Sequence, residues 1–411
     1  MTASVSVEYF ARSVRERLFV PQADDRQRVG AEIEMLPLLE GSGLPCPLEP
    51  RDGEERSTLS LIRAHGGASA WRELRSPKGA PYFELPNGST LTFEPGGQLE
   101  LSTPPTASIS TLLREARATV VGLRAAAADA GIDLASVGID PHNTIDSVPL
   151  QLHSPRYDRM TRYFDSIGPS GVRMMRQTAA TQVSLDPGRD PAARWRLLAD
   201  LTPYLTAMFA NSSRYAGSET GYRSFRARCW RLLDPSRTGV PNAELPACEA
   251  YTRFALDAGD MTRMGDDGGY RSFGEWAADN QWTDAAWEDH LTTLFPEVRP
   301  RGYLEVRSID ALGPEMVGAP LVLLAGLAYS EEGSAGARAI LPTADEEMLN
   351  RAARCGVRDP EIAALAADLV ALGLRGARAL REDVIGGVEL ERAQQFFGEW
   401  TLRGRSPADD R

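Results

Sequence analysis

The sequence predicts an α+β chain built on an antiparallel sheet, and three observations carry that reading. Strand-like segments are spread from residue 28 to residue 309, with helical segments between them. No internal repeat or long linker separates the halves, and the pattern turns helical from Pro314 onward. Residues 1–403 read as one domain, and the polar stretch 404–411 reads as a disordered tail.

Residues 1–20 are amphipathic and read as a helix, followed by a strand from Arg28 to Leu38. The stretch 40–56 is rich in Gly, Pro and charge and reads as a loop. Tyr82 to Ser102 is β-rich, with a turn at Pro86-Asn87-Gly88. Thr111 to Ala130 is a helix: Ser110 can cap it, Leu112, Leu113, Ala116, Val120 and Leu123 form its apolar face, and Gly131 can end it. A short strand is expected near Leu134–Ile139, a loop over 140–156, a helix over Arg156–Ile167 and a strand over Thr178–Leu185. Ala192 to Ala210 is a second strong helix. Residues 233–247 and 258–272 read as loop, Glu288–Leu294 as helix and Tyr303–Ile309 as strand.

The bulk chemistry narrows the function. The chain has 411 residues, 42% of them hydrophobic, and a net charge of -12. It carries no Lys/Arg run of the kind a nucleic-acid binder uses. Lys78 is the only lysine, so a bound phosphate must be held by arginine, backbone N–H groups or metal. Lys78 is followed by Gly79 and Ala80, so no P-loop exists. Cys46, Cys229, Cys248 and Cys355 form no paired motif, which suits reduced thiols in the cytoplasm. The first residues lack the apolar run of a signal peptide, and the stretch Met316–Tyr329 is too short to cross a bilayer. A cytoplasmic monomer or homodimer is expected, with neither nucleic acid nor membrane as partner.

Four strands place polar residues two apart, and therefore on one face. The sets are Glu32 with Glu34; Gln98, Glu100 and Ser102; Gln182, Ser184 and Asp186; and Glu305 with Arg307. A half-exposed sheet would turn such a face to water. Solvent faces mix Lys, Arg and Thr with acids, whereas these are nearly all acid or amide. Adjacent carboxylates repel, and burial disfavours their ionised form further. A divalent cation relieves that repulsion, and carboxylate oxygens favour Mg²⁺ or Mn²⁺. The pattern therefore predicts a nucleotide site on a sheet face, with arginines such as Arg307 on the phosphates. Gly96-Gly97 reads either as a bend or as a place where backbone approaches a ligand. His65, His142, His153 and His290 lack metal-ligand spacing and read as surface or satisfied structural histidines, and Cys229, set among arginines, reads as helix packing.

Several segments then match a known family. They are Val29-Gly-Ala-Glu-Ile-Glu34; Phe93-Glu-Pro-Gly-Gly-Gln-Leu-Glu-Leu-Ser102; Met174-Met175 with Thr178 and Gln182-Val-Ser-Leu-Asp186; Ser224-Phe-Arg226 with Trp230; Asp234-Pro-Ser-Arg-Thr-Gly239; Asp289-His-Leu-Thr-Thr-Leu-Phe-Pro-Glu-Val298; and Tyr303-Leu-Glu-Val-Arg307. In these the chain resembles the plant-type and actinobacterial glutamate–cysteine ligases, including those that open ergothioneine synthesis. The resemblance implies a glutamine synthetase-like carboxylate–amine ligase: a curved antiparallel sheet forming a funnel, with helices outside. It implies ATP and Mg²⁺ (or Mn²⁺), with glutamate and cysteine as substrates for glutathione or ergothioneine synthesis. By position, it makes Glu32, Glu34, Glu94, Glu100 and Glu305 the metal carboxylates. Arg307 becomes the phosphate contact, with Gln98 and Glu100 beside the nucleotide. Thr178, Gln182, Arg226 and Trp230 become the amino-acid pocket, and Arg156 an aid to glutamate binding. Glu305, Arg307 and Arg226 are the residues expected to carry catalysis. The chain departs from the family at Ser184 and over 258–272, which bears on the acceptor amine. Two rivals follow: a ligase of the same fold with another acceptor, and a non-catalytic amino-acid or nucleotide binder.

Overall fold

The computed structural model describes residues 2–23, 26–76, 79–264, 269–279 and 282–410; Lys78 lies outside them. Thirteen strands are described: β1 (Val29–Leu39), β2 (Arg72–Arg75), β3 (Pro81–Glu84), β4 (Thr90–Phe93), β5 (Leu99–Ser102), β6 (Ile132–Ala135), β7 (Ala180–Leu185), β8 (Arg214–Tyr215), β9 (Ser218–Glu219), β10 (Gly259–Met264), β11 (Tyr270–Ser272), β12 (Val298–Pro300) and β13 (Leu304–Asp310). Nine of them form one open antiparallel sheet in the order β12-β13-β7-β1-β5-β4-β3-β2, with β6 pairing the second half of β1. The remaining four make two short ribbons, β8-β9 and β10-β11.

β1 is the axis of the sheet. Along its length Ile33, Met35 and Ala31 are buried on the apolar face, beside Leu99, Leu101, Val183, Leu304 and Val306 of neighbouring strands. The helix Ile109–Asp129 contributes Leu112, Leu113, Val120 and Leu123 to the same core. Its cap is Ser108, whose hydroxyl accepts the Thr111 N–H at 3.3 Å, not the expected Ser110. Ser110 instead accepts the Gly386 N–H at 2.8 Å, tying this helix to the following layer.

The apolar run in Met316–Tyr329 becomes the helix Gly318–Tyr329, buried on every side. It crosses the helix Pro360–Ala379 so closely that a Cβ on Gly326 would stand 1.9 Å from the Gly373 carbonyl oxygen. No helix among the described residues is long and apolar enough to cross a membrane.

Several expectations need correction. The 258–272 stretch is a ribbon, β10 against β11, of which 265–268 lie outside the described residues. The helix Pro169–Gln177 lies between the expected helix and strand, and Pro at its first turn suits a helix start. The helix expected at Glu288–Leu294 lies earlier, over Asp284–Leu291. The 404–410 segment is ordered: Pro407–Asp410 forms a helical turn, and Ser406 and Ala408 are buried. Asp409 is spent on ion pairs rather than on water, since it pairs with Arg223 and Arg358.

Candidate active site

Register explains how the polar face is assembled. Glu34 lies opposite Glu100 across β1–β5, and Glu32 opposite both Ser102 and Gln182. Thr92 of β4 lies opposite Glu100, and Arg299 of β12 opposite Glu305. Because every pair is antiparallel and alternation has period two, all these side chains share one face. That face is not spread flat to solvent. It floors a cavity of about 290 Å³, walled by the helices Pro155–Ile167, Pro169–Gln177 and Phe225–Leu233 and by the 292–301 segment. Of the twelve residues singled out from sequence, eleven line this cavity; Glu305 alone does not.

Four carboxylates, Glu32, Glu34, Glu94 and Glu100, line this cavity. Glu34 is held by the Ala180 N–H and the Gln182 amide, each at 2.8 Å. Glu100 accepts the hydroxyls of Thr92 and Ser102 at 3.0 Å. Burial, then the charges of Glu100 and Glu305, pushes Glu32 up to about 8. Burial and Glu34 push Glu100 up to about 7. Glu94 rises well above the usual range from burial and its three neighbours, and burial raises Glu34 against the pull of Arg226. Carboxylates whose ionised forms disfavour one another in this way fit a bound divalent cation, which would favour those forms by neutralising them. Among the described residues no three of these groups converge as a ready-made metal centre.

Glu305 is in a different state. It is fully buried, and its oxygens accept Arg299 Nε at 2.8 Å, Arg307 Nη1 at 2.6 Å and Arg301 Nη1 at 3.3 Å. Burial alone would raise its pKa, but Arg299, Arg307 and Arg301 outweigh burial and bring it to about 2. The expected metal carboxylate is therefore the counter-charge of an arginine cluster in this structure. Arg307 also donates to Gln182 Oε1 at 2.7 Å. Arg299 and Arg301 went unnoticed in the sequence, although they stand two apart on either side of Pro300 and face Glu305.

Gln98 lines the cavity, but its amide is committed to backbone. It donates to the carbonyls of Met175 and Thr178 at 3.2 and 3.0 Å and accepts the Gly96 N–H at 2.9 Å. It thus clamps the Glu94–Gly97 turn onto the helix Pro169–Gln177 and has little left for a nucleotide. The Gly96-Gly97 pair serves the same junction. A Cβ on Gly96 would stand 2.1 Å from the Arg176 carbonyl oxygen, and Gly97 has φ +88°. The close approach is to the chain itself.

Arg226 is buried, donates Nη2 to the Arg307 carbonyl at 2.9 Å and lies 5.0 Å from the Trp230 ring centroid. Its Nε, like that of Arg307, is buried with no hydrogen-bond partner among the described residues. Trp230 is fixed by donation from Nε1 to the Phe295 carbonyl at 2.9 Å. Thr178 donates its hydroxyl to the Met174 carbonyl at 2.7 Å. Arg156 donates to the Thr292 hydroxyl and carbonyl at 2.6 and 3.1 Å. Tyr157, Met160, Met174 and Phe295 complete the wall and were not assigned from sequence. Cys229 is buried beneath it and pushed up to about 12 by burial, so it packs rather than reacts.

The cavity continues on two sides. One extension, about 440 Å³, is rich in arginine: Arg17, Arg156, Arg299 and Arg301 with Leu18 and Tyr251. The other, about 860 Å³, opens past Glu94, Glu100 and Tyr157. A chamber with clustered carboxylates in the middle and arginines at one end is the site of a carboxylate-activating ligase on an antiparallel sheet.

Comparison with known proteins agrees. The model of glutamate-cysteine ligase family 2 matches residues 28–410, and the chain belongs to that family. Glutamate–cysteine ligase EgtA of Mycolicibacterium smegmatis is 35% identical over 364 residues, covering 83% of this chain and 81% of that protein. The chloroplastic glutamate–cysteine ligase of Arabidopsis thaliana is 31% identical over 307 residues, covering 66% of this chain and 56% of that one. The fold is shared with a solved glutamate–cysteine ligase of Francisella tularensis in complex with AMP, at a TM-score of 0.54 and 12% identity, over 95% of this chain and 85% of that chain. The expected α+β ligase fold, helices with an open antiparallel sheet, is therefore present.

Proposed function

We propose that the chamber joins the γ-carboxylate of glutamate to the amine of cysteine at the expense of ATP, for low-molecular-weight thiol synthesis. The observation that carries the reading is the row Glu32, Glu34, Glu94 and Glu100 on one cavity wall, with Arg299, Arg301 and Arg307 at its edge. A carboxylate is a poor electrophile. Phosphoryl transfer from ATP makes γ-glutamyl phosphate, the amine attacks its carbonyl carbon, and phosphate leaves.

The arginine-rich extension suits the ATP phosphates, because guanidinium groups bind phosphate oxygens in forks. Arg226, stacked on Trp230 with its Nε free, suits a glutamate carboxylate, and orientation by such a clamp supplies much of the rate. Arg307 lies between the two and stabilises charge on the phosphoryl group in flight. Glu32, Glu34, Glu94 and Glu100 would hold Mg²⁺ or Mn²⁺, which when bound supplies charge neutralisation at the phosphate oxygens. Phosphates that drew Arg299 and Arg307 away would release Glu305 to join those carboxylates. The four free cysteines suit the reducing cytoplasm.

The test is ADP release from ATP and glutamate with Mg²⁺, with and without cysteine, and the product mass. Cysteine-dependent ADP with a γ-glutamylcysteine product supports the reading. ADP stimulated only by another amine moves the function to another ligase, and ligand binding without ADP makes the chain a binder.

A further inference from the structure

Arg226 is held in the cavity by a frame that lies outside the cavity. The chain from Ala210 to Arg226 folds around the buried carboxylate of Asp310. Its Oδ2 accepts the Asn211 N–H at 2.8 Å and the Ser212 hydroxyl at 2.7 Å. Its Oδ1 accepts the Ser224 hydroxyl at 2.9 Å and lies 3.8 Å from Arg226 Nη1. The Arg226 N–H itself donates to the Ser212 hydroxyl at 3.2 Å. Gly138 makes room for this knot, because a Cβ there would stand 2.4 Å from Asp310 Cγ.

The far side of the frame is fastened by the turn at 406–410. The Ala408 N–H donates to the Ala210 carbonyl at 2.9 Å, and the Ala408 carbonyl accepts the Ser213 hydroxyl at 3.2 Å. One residue therefore ties the loop at its entry. Asp409 ties it at its exit: Oδ1 accepts Arg223 Nη1 at 3.0 Å, while Oδ2 accepts the Ser406 N–H at 2.8 Å. Both side chains of the Asp409–Arg223 pair are largely removed from solvent, at 4% and 14% exposure, so the pair is not the screened, weak kind found at a surface. Arg223 lies directly before Ser224 and three residues before Arg226, so its anchorage sets where the helix Phe225–Leu233 begins.

We propose that Asp409 is a positioning residue for glutamate binding, acting through Arg223 and the Ser212–Asp310–Ser224 knot on the guanidinium of Arg226. The inference rests on the assignment of Arg226 to glutamate given above. The path meets the arginine cluster around Glu305 only at its far end, where Arg226 donates to the backbone carbonyl of Arg307 and not to a charged group, so the effect falls first on glutamate and much less on ATP.

Steady-state kinetics of Asp409→Ala, Asp409→Asn, Asp409→Glu and Arg226→Gln in the full chain test it. Asp409→Ala should raise KM for glutamate about threefold to thirtyfold, the range for residues acting at one remove. KM for ATP should stay within about twofold, and Asp409→Glu should recover part of the loss. A purely structural role would lower the thermal midpoint and the amount of active enzyme while leaving both KM values alone. If Asp409→Ala does not fold, the isosteric Asp409→Asn carries the same readout. An unmoved glutamate KM in the folded Asp409 variants, with Arg226→Gln raising it, overturns the proposal and leaves the site intact. An unmoved glutamate KM in Arg226→Gln overturns the site assignment itself. Equal rises in both KM values for Asp409→Ala also overturn the proposal.

Discussion

Arg299 stands directly opposite Glu305 across the β12–β13 pair and donates from Nε to Oε2 at 2.8 Å. With Arg301 and Arg307 it surrounds a carboxylate that has no exposure of its own. Removing Glu305 would leave three guanidinium groups clustered without their counter-charge. Breaking such a buried pair costs about 3–5 kcal/mol. Glu305→Ala should therefore lower the thermal midpoint clearly and cut turnover by at least about 100-fold, as expected when a transition-state charge is left unsupported. A melt and a turnover assay, both near wild type, would contradict the arginine-cluster account.

The carboxylate wall makes metal-free stability depend on pH, with a defined sign. Glu32 and Glu100 have folded pKa values of about 8 and about 7 against an ordinary 4.5. A carboxylate whose pKa is raised on folding contributes stability that is fully present below the unfolded pKa and lost as pH rises through the folded one. The midpoint in chelator should therefore fall between about pH 4.5 and pH 8. Added Mg²⁺, which binds the ionised wall of the folded state, should restore it most at the alkaline end. Glu32→Gln should flatten the metal-free profile and weaken the Mg²⁺ rescue. A profile that is flat in the wild type, or unchanged in Glu32→Gln, would count against this placement of the cation.

Much of this site was legible in the sequence, because alternation along a strand is independent of what the strand packs against. Spacing alone places Glu32 with Glu34, Gln98 with Glu100, and Glu305 with Arg307 on one face; the register bears this out for Glu32, Glu34, Glu100 and Glu305, and Gln98 and Arg307 line the same cavity. Local chemistry hid the rest. The strand bearing Arg299 is three residues long and closed by Pro300, so it carries too few alternations to read. Gln98 resembled a ligand contact because an amide on a polar face is the same in sequence whether it binds ligand or backbone. Residues 404–410 read as a solvated tail because their charges gave no sign of partners nearly two hundred residues away, as Arg223 is from Asp409. For Glu305, sequence could place the carboxylate on the right face but could not tell that arginines from two strands would enclose it.

Gly96 tests how tightly the Glu94–Gly97 turn is seated. The Cβ of an alanine there would meet the carbonyl oxygen, carbon and Cα of Arg176 at 2.1–2.6 Å, all backbone atoms that cannot swing aside. Overpacking of this kind costs about 1–3 kcal/mol, and the helix Pro169–Gln177 must shift to absorb it. Glu94 and Thr178 sit at the two ends of that contact, so Gly96→Ala should lower both the thermal midpoint and turnover. Wild-type turnover at an unchanged midpoint would show that the turn is looser than its geometry.

Trp230 faces two cations at once, with the guanidinium carbons of Arg226 and Arg307 at 5.0 and 5.6 Å from its ring centroid. Each contact is worth about 0.5–2 kcal/mol, more when desolvated, and phenylalanine offers a weaker face than indole. Trp230 is buried, and its Nε1 is already spent on the Phe295 carbonyl, so the ring cannot turn without freeing that bond. Trp230→Leu should raise KM for glutamate about threefold to thirtyfold through the loosened Arg226, and lower kcat through the loosened Arg307. Trp230→Phe keeps a π-face but loses the Phe295 hydrogen bond, so it should fall between wild type and leucine in both constants. Equal glutamate KM in the phenylalanine and leucine variants would show that the indole acts by filling space rather than by holding charge.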